Sequence, residues 1–284
     1  MLSVIIPSRN EIYLQKTIDD VLSKSKRDIE IIAILDGYWP DPPLKDDPRL
    51  KIIHHGTSHG MRGSINAGVA VAKGDLILKC DAHCMFAEGF DITLEADCDE
   101  NWVVIPRRKR LDARNWTIEQ NGRPDVDYEY LSYPNVNGNW NDGLHGRVWE
   151  ERALKRADIL IDDNMSAQGS CWMMHRDYFN KLELEDEEHY GTFSNEFQEI
   201  GLKCWLSGGR VITNKKTWYA HLHKDKDMGR GYSLPGDQVE KGFLYTNRWL
   251  TNTAWHKQIH PFTWLIERFW PVPGWPEDKA KWQK

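Results

Sequence analysis

Leu76-Ile77-Leu78-Lys79-Cys80-Asp81-Ala82-His83 is the stretch on which the fold of this chain turns. Its first five residues read as a short buried strand, entered from Lys73-Gly74 and running directly into an aspartate and a histidine two positions apart. Just upstream, Gly60 to Ala72 has the small, apolar-periodic composition of a helix, closed by a basic residue and a glycine. Further back, Leu50 to His54 and Ile29 to Leu35 read as strands, the latter closed by Asp36-Gly37. Leu14, Ile18, Val21 and Leu22 recur at helical spacing, and Leu2 to Pro7 is a first buried strand. Strands and helices alternating over short links predict an α/β domain with a mainly parallel central sheet flanked by helices. In such sheets ligands gather outside the carboxyl ends of the strands. Asp36 and Asp81 both fall there, which marks a nucleotide-sized site.

Composition narrows the class. The chain has 284 residues, enough for one large domain or a domain with an appendage, and its 40% hydrophobic content is globular. No run approaches the length of a membrane span, and a strand starts almost at residue 1 where a secretion signal would lie. A cytoplasmic protein is expected, with no membrane partner; if it is of phage origin, that is the host cytoplasm. Five cysteines in a domain of this size suit reduced thiols better than a disulfide framework, and Cys80 and Cys84 lack the second pair a zinc site needs. A net charge of −6 supplies no global attraction for nucleic acid. Arg107-Arg108-Lys109-Arg110 is the local exception, either a solvated face or a phosphate contact.

Regularity fades from Pro106 to about Asn164, where Tyr, Asn, Gly and Pro crowd residues 128 to 143 before an amphipathic segment from Val148 to Ala157. It returns with a strand at Cys171 to Met174, a helix from about Asn195 to Ser207, and a strand at Arg210 to Thr213. The expected organisation is a domain over residues 1–236, with a nucleotide-binding half at 1–105 and an acceptor-side half and lid at 106–236. Residues 237–284 form a Trp-rich extension packed on it. The tail tryptophans read as core residues or, alternatively, as platforms for bases.

Asp81 and His83 can reach one ion from a turn. An Asp oxygen with a His nitrogen suits Mn²⁺ better than Mg²⁺ or Ca²⁺, with Mg²⁺ the alternative. The competing reading is an aspartate capping a turn beside an ordinary histidine. Leu78-Lys79-Cys80-Asp81-Ala82-His83-Cys84 resembles the metal-binding segment of the polypeptide N-acetylgalactosaminyltransferases, which are of the GT-A type and related to the family 2 glycosyltransferases. Ser3-Val4-Ile5-Ile6-Pro7 with Asn10-Glu11 is similar to their first strand, and Gly68 to Gly74 to the helix before their metal strand. His175-Arg176-Asp177-Tyr178-Phe179, Glu196-Phe197-Gln198-Glu199-Ile200, Ala220-His221 and Tyr232-Ser233-Leu234-Pro235-Gly236 follow in the family's order.

The resemblance implies a GT-A fold and a UDP-sugar donor. It implies Asp81, His83 and His221 as metal ligands, with His223 a competitor two residues on. It further implies donor contacts at Pro7, Asp36, Arg62, Asp81 and Tyr232, Asp36 taking the uridine or its ribose. Glu196 and Glu199 would face the donor sugar or the acceptor hydroxyl. Arg62 stands one position from the family's arginine, and Ala167-Gln168-Gly169-Ser170 replaces its Gly-Gly pair, so donor sugar and acceptor do not carry over.

Glycosyl transfer builds charge on the leaving diphosphate, which a cation fixed beforehand would stabilise. Gly229-Arg230-Gly231-Tyr232 has the composition of a lid hinge, and Arg230 or Lys224 could add a second positive contact. An inverting enzyme would need Glu196 or Glu199 as base, whereas the resembled family retains configuration. The acceptor is read as a hydroxyl of protein Ser/Thr, of a hydroxymethylated DNA base, or of a saccharide. Arg107, Arg108 and Trp172 are the candidate acceptor contacts. A nucleotide-sugar-binding protein without turnover and a nucleotidyltransferase are the competing classes. The latter lacks its glycine-rich loop after the first strand.

Overall fold

A computed structural model describes residues 1–134, 143–224, 232–234, 236–250 and 254–283. The first part of the chain forms β1 (Leu2–Ser8), α1 (Leu14–Lys24), β2 (Ile29–Asp36), β3 (Leu50–His55), α2 (Gly60–Val71) and β4 (Leu76–Cys80). Next come β5 (Cys84–Phe86), α3 (Phe90–Glu95), β6 (Trp102–Asp112), β7 (Thr117–Ile118), β8 (Glu129–Leu131), β9 (Gly146–Val148), α4 (Glu150–Lys155) and β10 (Ile161–Asp163). β11 (Cys171–His175), α5 (Arg176–Leu182), α6 (Glu187–Tyr190), α7 (Glu196–Leu206), β12 (Arg210–His221), α8 (Gly236–Thr246) and α9 (Phe262–Arg268) complete it.

The main sheet runs β10-β12-β6-β11-β4-β1-β2-β3, with β5 added on β12 and β7 on β6. β2 and β4 are buried along their whole length, which is why they read as continuous apolar runs rather than alternating ones. β4, β1, β2 and β3 are mutually parallel, as are β6 and β12. β11 lies antiparallel between these two blocks, bonded to β4 on one side and β6 on the other. The sheet is therefore mixed, its two parallel blocks joined by one reversed strand.

Two segments differ from the sequence expectation. The region after Pro106 stays regular to Asp112, so the basic run lies inside β6. Asp125, Asp127 and Glu129 run alongside it, with Val126 bridged to Arg108. Alternate side chains of an extended chain share a face, so Asp125 and Asp127 meet Lys109 and Arg107 on one side, while Glu129 reaches Arg108. Arg107 donates Nε and Nη2 to Asp127 at 2.7 and 2.8 Å, Arg108 to Glu129 at 2.8 Å, and Lys109 to Asp125 at 2.7 Å. The expected strand at Arg210 to Thr213 also continues, past an irregularity between Asn214 and Trp218, to His221. That break re-aims the strand and lets its end pair with β5, His221 opposite Cys84.

The tail is core. Trp249, Trp275 and Trp282 are buried in the same apolar cluster as Trp172 and Trp205, and Trp255, Trp264 and Trp270 pack against it. Trp249 Nε1 donates to Tyr190 Oη at 2.6 Å and Trp275 Nε1 to the Leu131 carbonyl at 2.7 Å, which satisfies their polar ends. All five cysteines are free thiols. Among the described residues no helix is long and apolar enough to cross a membrane.

Candidate active site

A cavity of about 1020 Å³ opens where β1, β2 and β4 end, lined there by Pro7, Asp36 and Asp81. The rest of the lining includes Glu196 and Phe197 from the start of α7, Arg108 from β6, Glu129 from β8, and Tyr232, Gln238 and Phe243 near and on α8.

Backbone bonds bring the three predicted metal ligands together. The Asp81 amide donates to the Ser170 carbonyl at 2.9 Å, and the Leu222 amide donates to the His83 carbonyl at 3.2 Å. The turn after β4 is thus stitched both to the start of β11 and to the end of β12. His221 Nε2 lies 3.1 Å from Asp81 Oδ2 and 3.1 Å from His83 Nε2, with 3.9 Å between the latter two atoms. Ligand atoms about 2.1 Å from one cation at right angles sit roughly 3 Å apart, so this spacing fits a divalent ion. Among the described residues Asp81, His83 and His221 are the group of three that could hold one, and it contains no cysteine.

The electrostatics suit that role. Burial, with hydrogen bonding to Asp81 opposing it, brings His221 down to about 4, so its imidazole is neutral at physiological pH. Asp81 is held well below the usual carboxylate range because Lys79, His221 and His83 outweigh the cost of burial. His83 Nδ1 lies 2.9 Å from Glu11 Oε2, and Lys224 Nζ lies 2.5 Å from the same oxygen. Burial raises the Glu11 pKa, but His83 and Lys224 together hold it below its ordinary value. An ionised Glu11 only accepts, so His83 Nδ1 donates to it and Nε2 is the nitrogen turned to the site. His223 lines the cavity with its ring edge-on to His221, centroids 4.9 Å apart, and stays outside the ligand group.

The other predicted residues separate. Pro7 and Tyr232 line the cavity, with the Arg9 guanidinium 4.7 Å above the Tyr232 ring. Asp36 lines it too, but its carboxylate accepts from Ser58 Oγ at 2.5 Å and from the amides of His59 and Gly60 at 2.7 and 3.1 Å. It ties down the entry to α2. Arg62 is fully buried, bonded to Glu199, to Glu185 at 3.1 Å and to the Ser194 carbonyl at 2.9 Å, and does not line the cavity. The expected donor contact at Arg62 is replaced by an internal ion pair, because two carboxylates reach the guanidinium first. Glu199 meets the same fate: held by Arg62 and by Lys203 at 2.7 Å, it faces the protein interior. Glu196 does line the cavity. Arg108 lines it as well, whereas Arg107 turns to Asp127 outside it. Trp172 lies beneath the wall, donating Nε1 to Glu196 Oε1 at 2.8 Å. Lys224 reaches the cavity; Gly229, Arg230, Gly231 and Pro235 of the expected lid lie outside the described residues.

Sequence reasoning gave no role to Lys79 or Glu129, and it met Glu11, Gln168 and Gly169 only as parts of segments compared with the family. Lys79 carried a signal: a lysine inside an otherwise apolar, buried strand demands a partner. Gly169 packs on Glu196, where an added Cβ would lie 2.5 Å from Oε2.

The sequence profile described as "Glycosyl transferase family 2" matches residues 3–183, well over half of the chain. The chain belongs to glycosyltransferase family 2. Polypeptide N-acetylgalactosaminyltransferase 11 of Xenopus tropicalis is 26% identical over 261 residues, covering 83% of this chain and 40% of that protein. Glycosyltransferase GlyG of Streptococcus pneumoniae is 28% identical over 245 residues, covering 81% of this chain and 73% of that protein. The crystal structure of GalNAc-T7 with UDP, GalNAc and Mn²⁺ superposes with a TM-score of 0.70 at 19% identity, over 87% of this chain and 47% of that one. This likeness shows the GT-A fold expected from the sequence. The chain spans about 40% of the length of the Xenopus relative.

Proposed function

We propose that this family 2 glycosyltransferase moves a sugar from a UDP-sugar to an uncharged hydroxyl acceptor, with retention of configuration. In this reading Asp81, His83 and His221 hold a divalent cation, Mn²⁺ in preference to Mg²⁺. The observation that carries the reading is the meeting of these three side chains at the carboxyl end of β4, inside a cavity of about 1020 Å³. The fold neighbour solved with UDP, GalNAc and Mn²⁺ supports the choice of donor and ion.

A bound cation would stabilise negative charge on the departing diphosphate. The chain's own residues do the rest. Glu11 orients the His83 ring, and His221, neutral and with Nε2 turned to Asp81 Oδ2, would exchange that hydrogen bond for the cation. Lys224 lies within reach of the same wall and supplies positive charge for the donor. Tyr232, under Arg9, and Pro7 bound the pocket as donor contacts, while Asp36 positions the loop before α2. Glu196 presents its carboxylate to the sugar as a hydrogen-bond acceptor.

The state of the two glutamates supports retention. Glu196 Oε1 accepts from Trp172 and Oε2 from Lys79, while Glu199 is sealed in its ion pair. The ammonium bonded to Glu196 weakens it as the base that inversion requires, and Glu199 does not reach the cavity. For the acceptor, the internal pairing of Arg107, Arg108 and Lys109 removes the electrostatic reason for DNA, and the buried tail tryptophans are not free to stack on bases. A hydroxyl on a protein or saccharide is the reading these pairings favour.

The test is UDP release from a panel of UDP-sugars with and without Mn²⁺, followed by acceptor screening with peptides, oligosaccharides and hydroxymethylated DNA. Metal-stimulated turnover that Asp81→Ala abolishes is expected. Turnover only with DNA would overturn the acceptor reading, and metal-independent turnover the cation.

A further inference from the structure

Lys79 is 1% exposed, in the middle of the sheet, beneath the wall of the cavity. Its ammonium spends its three donors on three acceptors: Asp81 Oδ1 at 2.8 Å, the Gly169 carbonyl at 2.7 Å and Glu196 Oε2 at 3.0 Å. Those acceptors come from the turn after β4, the turn before β11 and the start of α7. A single buried charge therefore joins the three segments that carry the site.

We propose that Lys79 is a positioning residue that locks Asp81 and Glu196 into one unit and weakens the cation site in exchange for a held, sugar-facing carboxylate. The inference rests on the donor and cation reading above. Its geometry is restrictive. Lys79 occupies one side of Asp81 Oδ1, and Oδ2 is the oxygen turned toward His83 and His221, the one placed to meet a cation. Glu196 is gripped from three sides, by Lys79, by Trp172, and by Gly169, whose bare Cα is what lets the carboxylate lie flat against the turn. A carboxylate has about four acceptor positions; two are spent on the protein, and the rest remain for sugar hydroxyls.

For the cation, the electrostatic consequence points the same way as the geometric one. A fixed positive charge bonded to a ligand carboxylate repels an incoming divalent ion. Removing it should tighten cation binding while turnover falls, because Glu196 loses its anchor. A general loosening of the site would lower both.

The experiment compares the full-length wild-type chain with Lys79→Met, Lys79→Gln and Lys79→Arg. Mn²⁺ affinity is measured by calorimetry without donor, and UDP release is measured at saturating donor. Lys79→Met should bind Mn²⁺ about tenfold more tightly, the effect of one unit charge at short range in a partly hydrated wall. Its kcat should fall about 100-fold, comparable to loss of one preorganised polar contact. Lys79→Arg keeps the charge and should hold Mn²⁺ affinity near wild type while recovering part of kcat. Lys79→Gln keeps a donor without the charge, so it reads the affinity change if the methionine variant does not fold. Unchanged or weaker Mn²⁺ binding in both neutral variants, or wild-type kcat in either, overturns the inference. A wild-type chain that binds no Mn²⁺ overturns the cation reading itself, a result distinct from equal binding by wild type and variants.

Discussion

Glu196 and Glu199 stand three residues apart in the first turn of α7, and the fold gives them different work. Glu196 opens onto the cavity, its two oxygens bonded to Trp172 and Lys79. Glu199 is fully buried among Arg62, Lys203 and the amide of Asp186, with Glu185 sharing the same arginine. Burial pushes both Glu196 and Glu185 above the ordinary carboxylate range, against the pull of Lys79 and Arg62 respectively. The outer cluster is a wall of the site, and the inner one is a clasp between α2, α7 and the segment before α6. Two acids on one helix face are no guarantee of a catalytic pair. What decides is which cation reaches each of them first.

That contrast can be broken by mutation. The largest effect should come from the outer cluster's cation ligand: Asp81→Ala is expected to lower UDP release about 10³-fold, with a stability cost of about 1–3 kcal/mol because the buried Lys79 ammonium loses one of its three acceptors. Chelation of the wild-type chain with EDTA should mimic it, and added Mn²⁺ should reverse the loss. Next, Glu196→Ala should cost about 10²-fold in kcat and about 1–3 kcal/mol of stability, since Lys79 and the Trp172 indole each lose an acceptor. Glu199→Ala should instead cost about 3–5 kcal/mol of stability, since it leaves Arg62 with one fewer buried partner. If Glu199→Ala folds well and loses turnover as Glu196→Ala does, the distinction between wall and clasp collapses.

Trp249→Ala sharpens the inner side. Its indole bonds Tyr190, whose ring lies 4.8 Å under the Arg62 guanidinium, so the tail caps the clasp. A loss of about 3–5 kcal/mol is expected by denaturant titration. A change below about 1 kcal/mol would mean the tail is not integral. The smallest effect is reserved for Arg107→Ala, half-buried outside the cavity and paired with the buried Asp127. Stability should fall by about 1–2 kcal/mol, and turnover with a neutral acceptor should not move.

Much of the donor side was legible because its signals are local. Uninterrupted apolar runs mark strands buried on both faces, and the residue after such a run is the one exposed at the carboxyl edge. That logic reached Asp36, Asp81 and His83 without reference to contacts far along the chain. It failed at Arg62 and Glu199, where a charge reads the same on paper whether it meets a phosphate or a carboxylate. It also misjudged Arg107 to Lys109, since the acids that neutralise them lie 16 to 21 residues on, too far for any periodicity to announce.

By itself the sequence determined the alternating strands and helices, the carboxyl-edge position of Asp36 and Asp81, and the spacing that lets Asp81 and His83 share an ion. These depend on side-chain period and strand ends, which are properties of short segments. Tertiary structure alone decided the rest. The irregularity in β12 carries His221 to Asp81 across 140 residues, and Lys79 binds two carboxylates that come from β4 and α7. A buried charge takes its meaning from its partners, and partners are chosen when the sheet closes.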